Sequence, residues 1–141
     1  MNILNNFSKY YLFFIFMKQI ISTPNAPAAI GAYSQGVVVN GMLYASGQLG
    51  INPATGALAG EDFRSQAEQS LKNCRAIVEA AGSSMDKLVK VSVFMADMGD
   101  FAALNELYAQ YIPSPFPARS AVAVKTLPKN ALIEIEVIAE V

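Results

Sequence analysis

The sequence contains no histidine, and this absence removes several classes of chemistry. Ser-His-Asp and Cys-His nucleophile arrangements both depend on an imidazole base. The usual zinc centres and other His-rich metal sites are excluded for the same reason. Any catalysis by this chain must therefore use Arg, Lys, Glu, Asp, Tyr, Ser, backbone groups or water.

Cysteine and charge are also scarce. Cys74 is the single cysteine, so no intrachain disulfide can form, and its place on the apolar face of a predicted helix indicates a small core residue. Charged residues make up only 15% of the chain, the formal net charge is −1, and no stretch is strongly basic. We therefore expect no nucleic acid as a main partner.

Apolar residues are abundant, at 53% of the 141 residues. A single domain of this size has too little interior to bury such an excess. A second burial surface between subunits is the natural consequence, and we expect a homo-oligomer.

Residues 1–16 read as an extension outside the fold. The apolar run 10–17 is far shorter than the roughly 20 residues of a membrane-spanning helix, and no clear cleavage site follows it. We interpret the segment as an upstream extension or a misassigned start site, with a degenerate secretion signal as the alternative. We expect residues 17–141 to form one cytoplasmic domain with no membrane association.

Hydrophobic periodicity and turn signals predict the order β-ββ-α-β-α-β-β. Asn40-Gly41 is a strong hairpin signal, and Asp62 and Asp100 are the expected helix N-caps. The predicted strands cover 19–23, 37–39, 42–46, 88–95, 118–124 and 131–141, and the predicted helices cover 62–81 and about 100–111.

Two amphipathic helices can cover only one face of such a sheet. The residues expected on the covered face of strand 88–95 are Val89, Val91, Val93 and Met95. The residues expected on the other face include Val38, Val122 and Ile138. Since that second face is also apolar, we expect another subunit to cover it.

Two charged positions stand out within the strands. Glu134 and Glu136 alternate with apolar residues and share one strand face, which is either a solvated face or a cleft where a glutamate positions or deprotonates water. Arg119 lies in the preceding strand, where it is a solvated edge charge, an internal ion pair or a two-point ligand for a carboxylate. From spacing alone, Arg119 is expected to approach the region of Glu134.

Further polar candidates are weaker. Tyr33 in IGAYSQG is either a packing or a pocket tyrosine, and Asn105 interrupts the apolar stripe of the second helix. GQLG, residues 47–50, lacks the third glycine and the following helix of a dinucleotide-binding fingerprint. It is no indication of nucleotide binding, although its backbone N–H groups remain available to a ligand.

Five stretches together resemble the Rid family, also called the YjgF family, of reactive-intermediate deaminases. They are APAAIGAYSQG, ASGQLGINPATG, KNCRAIVEAAGSSMDKLVKVSVFMADMGDFAALNELY, FPARSAVAV and LPKNALIEIEVIA. The resemblance runs without a break from about Met17 to Val141, and P-A-R-S, S-G-Q and I-E-I-E are its most specific pieces.

The resemblance implies a chorismate-mutase-like α+β fold with two helices on one face of the sheet. It also implies a homotrimer with a barrel-like sheet core and ligand pockets between subunits. The implied activity is hydrolysis of 2-iminobutanoate, 2-iminopropanoate and related enamines from pyridoxal-phosphate enzymes to 2-oxo acids and ammonia. Neither a metal nor an organic cofactor is implied.

Site residues follow from the resemblance position by position. Arg119 of P-A-R-S would bind the substrate carboxylate, and Glu134 of I-E-I-E would hold the attacking water. The implied substrate-binding residues are Tyr33, Ser46, Gly47, Asn105 and Ala121. Many deaminase members have cysteine at the position of Ala121, so a thiol contact is unavailable here, and activity should survive if that position contributes only its main chain.

Three other functions remain open at this point, one of which is a chaperone-like holdase role that no sequence pattern would reveal. The same trimer could bind 2-oxo acids without catalysis and regulate a partner protein. Endoribonuclease or translation-inhibitor activity, reported for relatives, is less favoured because of the acidic pI of about 5.3 and the missing histidine.

Overall fold

The structure, a computed structural model, describes residues 17–141. The predicted extension at 1–16 lies outside the described residues. Within residues 17–141, seven strands form one mixed sheet, and two α-helices pack on a single face of it. The predicted fold class is therefore confirmed, whereas the trimer stays a prediction.

The elements follow the predicted order with one addition, the short strand β4. The strands are β1 Gln19–Ile21, β2 Gly36–Val39, β3 Met42–Ala45, β4 Gln48–Leu49, β5 Leu88–Met95, β6 Ala118–Ala123 and β7 Ile133–Glu140. The helices are α1 Phe63–Ala80 and α2 Phe101–Tyr111. The sheet order is β1-β2-β3-β7-β5-β6, with β4 paired to β7.

The β2–β3 hairpin turns at Asn40 and Gly41, as predicted. Both residues have positive φ, 52° and 72°, which is the left-handed pair that a two-residue turn of this kind requires. Asparagine and glycine adopt this region at the lowest cost.

Helix α1 begins and ends at its predicted signals. The Asp62 carboxylate accepts a hydrogen bond from the Ser65 backbone N–H at 2.9 Å and caps the first turn. Gly82, with φ of 81°, lies just after the helix. The predicted apolar stripe is buried, and Leu71 and Cys74 have no exposed surface.

The cap predicted for the second helix is wrong in detail. Asp100 makes no side-chain capping bond, since a short 3₁₀ turn at Met98–Asp100 precedes α2. The side chain of Asp97 caps that turn by accepting a hydrogen bond from the Gly99 N–H at 2.7 Å. The helical segment that includes α2 therefore starts at Met98, three residues before the apolar pattern begins at Phe101.

The hydrophobic core lies between the helices and one face of the sheet. Val91, Val93 and Met95 are buried there as predicted, but Val89 is 48% exposed. An irregularity in the β5–β7 register between Leu88 and Lys90 changes the alternation at this point. Val38 was also assigned to the wrong face, because it pairs with Leu43 and is buried in the core.

No element among the described residues covers the second face of the sheet, which we call the outer face. Its apolar members include Tyr44, Phe94, Val122 and Ile138. Tyr44 and Val122 are 48% and 49% exposed. An apolar sheet face of this kind is expected to meet another protein surface.

Candidate active site

Glu134 lies on the outer face, where β4 joins β7. Its Cα partners are Leu49 on β4 and Phe94 on β5. Partial burial raises the pKa of the Glu134 carboxyl above its usual value, and the negative charge of Glu136 raises it further. The two glutamates share a strand face as predicted, and of the two only Glu136 is exposed.

Gly47 packs directly against this carboxylate. A Cβ atom at position 47 would lie 2.8 Å from Glu134 Cδ and 3.0 Å from Cγ. Real Cβ atoms do not approach other atoms this closely, so any side chain at position 47 would force the Glu134 carboxylate to move. The S-G-Q motif thus lets the backbone of residue 47 approach Glu134 closely.

Tyr33 and Ser46 line the same cavity, which we call the glutamate pocket. It has a volume of about 840 Å³ and is also lined by Ile30, Gly47 and Glu134. Ser46 Oγ donates a hydrogen bond to the Ser34 carbonyl at 2.6 Å. Tyr33 is 53% exposed, and its hydroxyl accepts a hydrogen bond from the Ile30 N–H at 3.3 Å. Four of the predicted site residues therefore meet in one pocket.

Gln35 fixes one wall of the glutamate pocket, a role that the sequence did not indicate. Its side chain is 3% exposed and bonds to Thr23 through both the N–H and the carbonyl. Its Nε2 also donates to the carbonyls of Ala26 and Pro27 at 3.3 and 2.8 Å. One amide thus bonds to four backbone groups and holds the loop 23–27 in place beside the pocket.

Helix α1 holds β4, the segment that follows Gly47, through buried polar side chains. Ser70 Oγ donates to the Gln48 carbonyl at 2.7 Å. Asn73 Nδ2 donates to the carbonyls of Leu49 and Ile51 at 3.0 and 2.8 Å. These hydrogen bonds from α1 therefore position the backbone that follows Gly47.

Arg119 lies on the helix-facing side of β6 and forms no ion pair within residues 17–141. Its guanidinium carbon is 4.7 Å from the Tyr108 ring centroid and 5.4 Å from that of Phe101, both on α2. The internal ion pair considered from the sequence is thus absent from the described part of the chain. The N–H groups of the guanidinium remain available for an anion.

Asn105 shares a second cavity with this arginine, which we call the arginine pocket. It has a volume of about 460 Å³ and is lined by Asn105, Tyr108, Ala109, Phe116, Pro117 and Arg119. Ala121 lies two residues further along β6, on the same side of the strand, and packs against the core. Since β6 is the edge strand, half of its backbone hydrogen-bonding groups face away from β5.

The predicted site residues therefore form two groups on opposite faces of the sheet. Arg119 pairs with Val91 and shares its helix-facing side, whereas Glu134 pairs with Phe94 on the outer face. The expectation that Arg119 approaches Glu134 is wrong within one chain, because β5 lies between β6 and β7. The strands β6 and β7 follow each other along the chain but are not adjacent in the sheet.

Cys74 takes no part in either pocket. The thiol is fully buried on α1, and burial raises its pKa to about 12, so the reactive thiolate does not form at ordinary pH. Within residues 17–141, no three His, Cys, Asp or Glu side chains cluster closely enough to hold a metal ion. Neither helix of that region has the length and apolar character that a membrane crossing needs.

Each pocket suits one part of a hydrolytic reaction. A partly desolvated carboxylate with a raised pKa can orient a water molecule and accept its proton. An arginine held against aromatic rings, with its N–H groups unpaired, suits a planar carboxylate.

Comparison with known proteins finds a matching protein family and similar sequences. The family model described as Endoribonuclease L-PSP matches residues 23–141. The human 2-iminobutanoate/2-iminopropanoate deaminase is 46% identical over 87% of this chain and 90% of the human protein. The deaminase of the same name from the mite Dermatophagoides farinae is 48% identical over 84% of this chain and 93% of its own.

Solved structures agree with these sequence matches. RidA from the Antarctic bacterium Psychrobacter superposes with a TM-score of 0.84 at 49% identity, covering 87% of this chain and 99% of its own. E. coli TdcF with bound serine gives 0.83 at 44% identity, covering 87% and 98%. The chain therefore belongs to the Endoribonuclease L-PSP family, which is the Rid (YjgF) family that its motifs resemble.

Proposed function

We propose that this chain hydrolyses reactive imines and enamines of small 2-amino acids to 2-oxo acids and ammonia. The substrates that its relatives' names indicate are 2-iminobutanoate and 2-iminopropanoate. Each combines an anionic carboxylate with an adjacent electrophilic C=N carbon. A site for them needs an anion-binding group and a positioned water, and the two pockets offer one of each.

The observation that carries this proposal is the contact between Glu134 and Gly47. A glycine at position 47 leaves space for the glutamate carboxylate inside a pocket that Tyr33 and Ser46 also line. Partial burial raises the pKa of that carboxyl, which makes it a stronger base than an exposed glutamate. A solvated surface glutamate would need neither the glycine nor the pocket.

The complete site lies between two copies of the chain in this proposal. One copy supplies the glutamate pocket, and its neighbour supplies Arg119, Asn105 and the edge backbone near Ala121. The uncovered apolar outer face and the free edge of β6 support such an assembly. A closed homotrimer would form three equivalent sites and would cover the outer faces together.

The reaction follows from these positions. Arg119 binds the substrate carboxylate and presents the iminium carbon to a water held by Glu134. The water oxygen forms a bond to that carbon while its proton passes to the Glu134 carboxylate, giving a neutral-amine carbinolamine. Glu134 then returns the proton to the nitrogen, and the C–N bond breaks as the carbinolamine hydroxyl gives its proton to Glu134, which releases ammonia and the 2-oxo acid. The proton left on Glu134 passes to solvent. Positioning and preorganised charge supply most of the acceleration.

An imine-trapping assay tests the proposal. Threonine dehydratase releases the imine from threonine, semicarbazide traps it, and added protein should reduce the trapped product while 2-oxobutanoate forms faster. Glu134→Gln should lower this activity by about 100-fold or more. Glu140→Gln is a matched control, because Glu140 is an exposed glutamate at the end of the same strand. Wild-type protein that leaves the trapped fraction unchanged would contradict the proposal.

A binding protein without catalysis is the second candidate. The structure of E. coli TdcF contains bound serine, so a related fold holds a small carboxylate. Calorimetry with 2-oxobutanoate separates the two functions. Binding that Arg119→Ala abolishes, with no imine turnover by wild type, would favour the binding protein.

A further inference from the structure

The Arg119 side chain is held by aromatic rings and by no polar partner among the described residues. Tyr108 and Phe101 of α2 lie 4.7 Å and 5.4 Å from its guanidinium carbon, measured to the ring centroids. Within the same region, no carboxylate is close enough to pair with it. An unrestrained arginine would sample many rotamers, so these rings restrict its orientation.

Tyr108 is the more deeply buried of the two aromatic residues. It is only 5% exposed and lies 6.2 Å from the Phe116 ring, which forms part of the arginine pocket. Its hydroxyl is buried and has no hydrogen-bond partner in the part of the chain that the structure describes. A buried hydroxyl without a partner costs free energy, so the ring is the stabilising part of this side chain.

We propose that Tyr108, assisted by Phe101, is a positioning residue that orients the Arg119 guanidinium for a ligand carboxylate through the face of its ring. This inference rests on the proposed function, in which Arg119 binds the carboxylate. It assigns the aromatic positions of α2 a role in substrate affinity in addition to packing. It also explains why Arg119 needs no acidic partner: ring faces hold the cation and leave its N–H groups unpaired.

Three variants separate the ring from the hydroxyl and from general packing. Tyr108→Leu removes the ring, Tyr108→Phe keeps it, and Tyr111→Leu is the matched control. Tyr111 also lies on α2 beneath an arginine, with its ring centroid 5.5 Å from the Arg75 guanidinium carbon, but it lines neither pocket. Phe101→Leu tests the same contact from the second ring if Tyr108→Leu does not fold.

The measurements are the Kd of 2-oxobutanoate by calorimetry, kcat and KM for imine hydrolysis, and the ¹H shift of Arg119 Hε by NMR. Tyr108→Leu should weaken binding and raise KM by about 3- to 30-fold with a much smaller change in kcat. It should also remove the ring-current shift from Arg119 Hε. Tyr108→Phe should retain all three values, and Tyr111→Leu should change none of them.

Two results would overturn the inference. One is Tyr108→Phe weakening binding as much as Tyr108→Leu, which would assign the effect to the hydroxyl. The other is an unchanged Arg119 Hε shift and Kd in both Tyr108→Leu and Phe101→Leu. Failure of the proposed function is distinguishable, since wild-type protein would then hydrolyse no imine, while the Kd of 2-oxobutanoate and the NMR shift would still test the contact.

Discussion

Arg119 and Glu134 lie on opposite faces of one sheet, with β5 between their strands. The register pairs Arg119 with Val91 and Glu134 with Phe94, and these two β5 residues point in opposite directions. No rotamer change brings the two side chains together around the intervening strand. If both act on one substrate molecule, they must come from different copies of the chain.

This separation predicts complementation between inactive variants. Arg119→Ala and Glu134→Gln should each lose activity alone, because every site then carries one lesion. In an equimolar mixture that has exchanged subunits, some sites lie between one copy of each variant. Such a site is intact when the Arg119→Ala copy supplies Glu134 and the Glu134→Gln copy supplies Arg119. Random assembly into closed rings gives this arrangement at about a quarter of the sites, so about a quarter of wild-type activity should return.

Subunit exchange through refolding, followed by the imine-trapping assay, measures that fraction. The double variant refolded with Arg119→Ala is the control, since neither copy then contributes a native arginine. If both groups act within one chain, the first mixture would stay as inactive as its components.

Glu134 should cost the protein stability at neutral pH. Burial raises its folded-state pKa above that of the unfolded chain, so the folded state disfavours the charged form. The carboxyl is protonated in both states below its ordinary value of 4.5, and the penalty appears as the pH rises through the raised pKa. Glu134→Gln is neutral throughout, so its Tm should exceed that of wild type at about pH 7 and match it in acid.

Thermal unfolding of both proteins across this pH range checks the sign. A glutamine variant that is less stable than wild type at neutral pH would show that Glu134 gains favourable contacts in its charged form. Loss of activity together with a gain in stability is the combination expected of a catalytic group.

Gly47 and Gly50 should respond differently to alanine. At position 47 the new Cβ meets the side chain of Glu134, 2.8 Å from its Cδ, so Gly47→Ala should displace the carboxylate and lower kcat/KM by about 10-fold or more. At position 50 the Cβ meets helix backbone, 2.6 Å from Gln66 Cα. Gly50→Ala should therefore destabilise the fold by about 1–3 kcal/mol.

Kinetics and denaturant unfolding of both variants provide the comparison. Equal loss of stability in the two variants, with unchanged kinetics for Gly47→Ala, would refute the assignment of Gly47 to the glutamate site.

Ala121 should tolerate replacement by cysteine. Its side chain packs against the core, so the position can offer only edge backbone groups to a ligand. Ala121→Cys should therefore keep kcat/KM within about 2-fold of wild type. A gain of 10-fold or more in the imine assay would instead assign the thiol a direct part in binding or catalysis.

Local signals in the sequence predicted most of the secondary structure. Asn40-Gly41 identified the hairpin, and Asp62 and Gly82 bounded α1, because turns and caps depend on a few adjacent residues. β4 was missed, since a strand of two residues has no alternation to detect. Val89 was misplaced because a register irregularity leaves no mark in the apolar pattern.

The sequence proposed residues for the candidate site but did not predict their arrangement in the fold. The family motifs proposed Glu134, Gly47 and Arg119, but chain order suggested that the strands of the arginine and the glutamate were neighbours. Sheet order depends on long-range packing, which inserts β5 between them. The structural roles of the buried residues Gln35 and Asn73 were not predicted either. A polar residue that bonds to distant backbone has the same local sequence pattern as an exposed polar residue.

The burial of Cys74 has a consequence for the conditions under which the protein can work. It is the only cysteine in the chain, and its side chain is buried in the core. Position 121, near Arg119, is an alanine. Alkylating agents, disulfides and peroxides therefore find no accessible thiol near either pocket. Thiol oxidation should therefore leave the rate of imine hydrolysis unchanged.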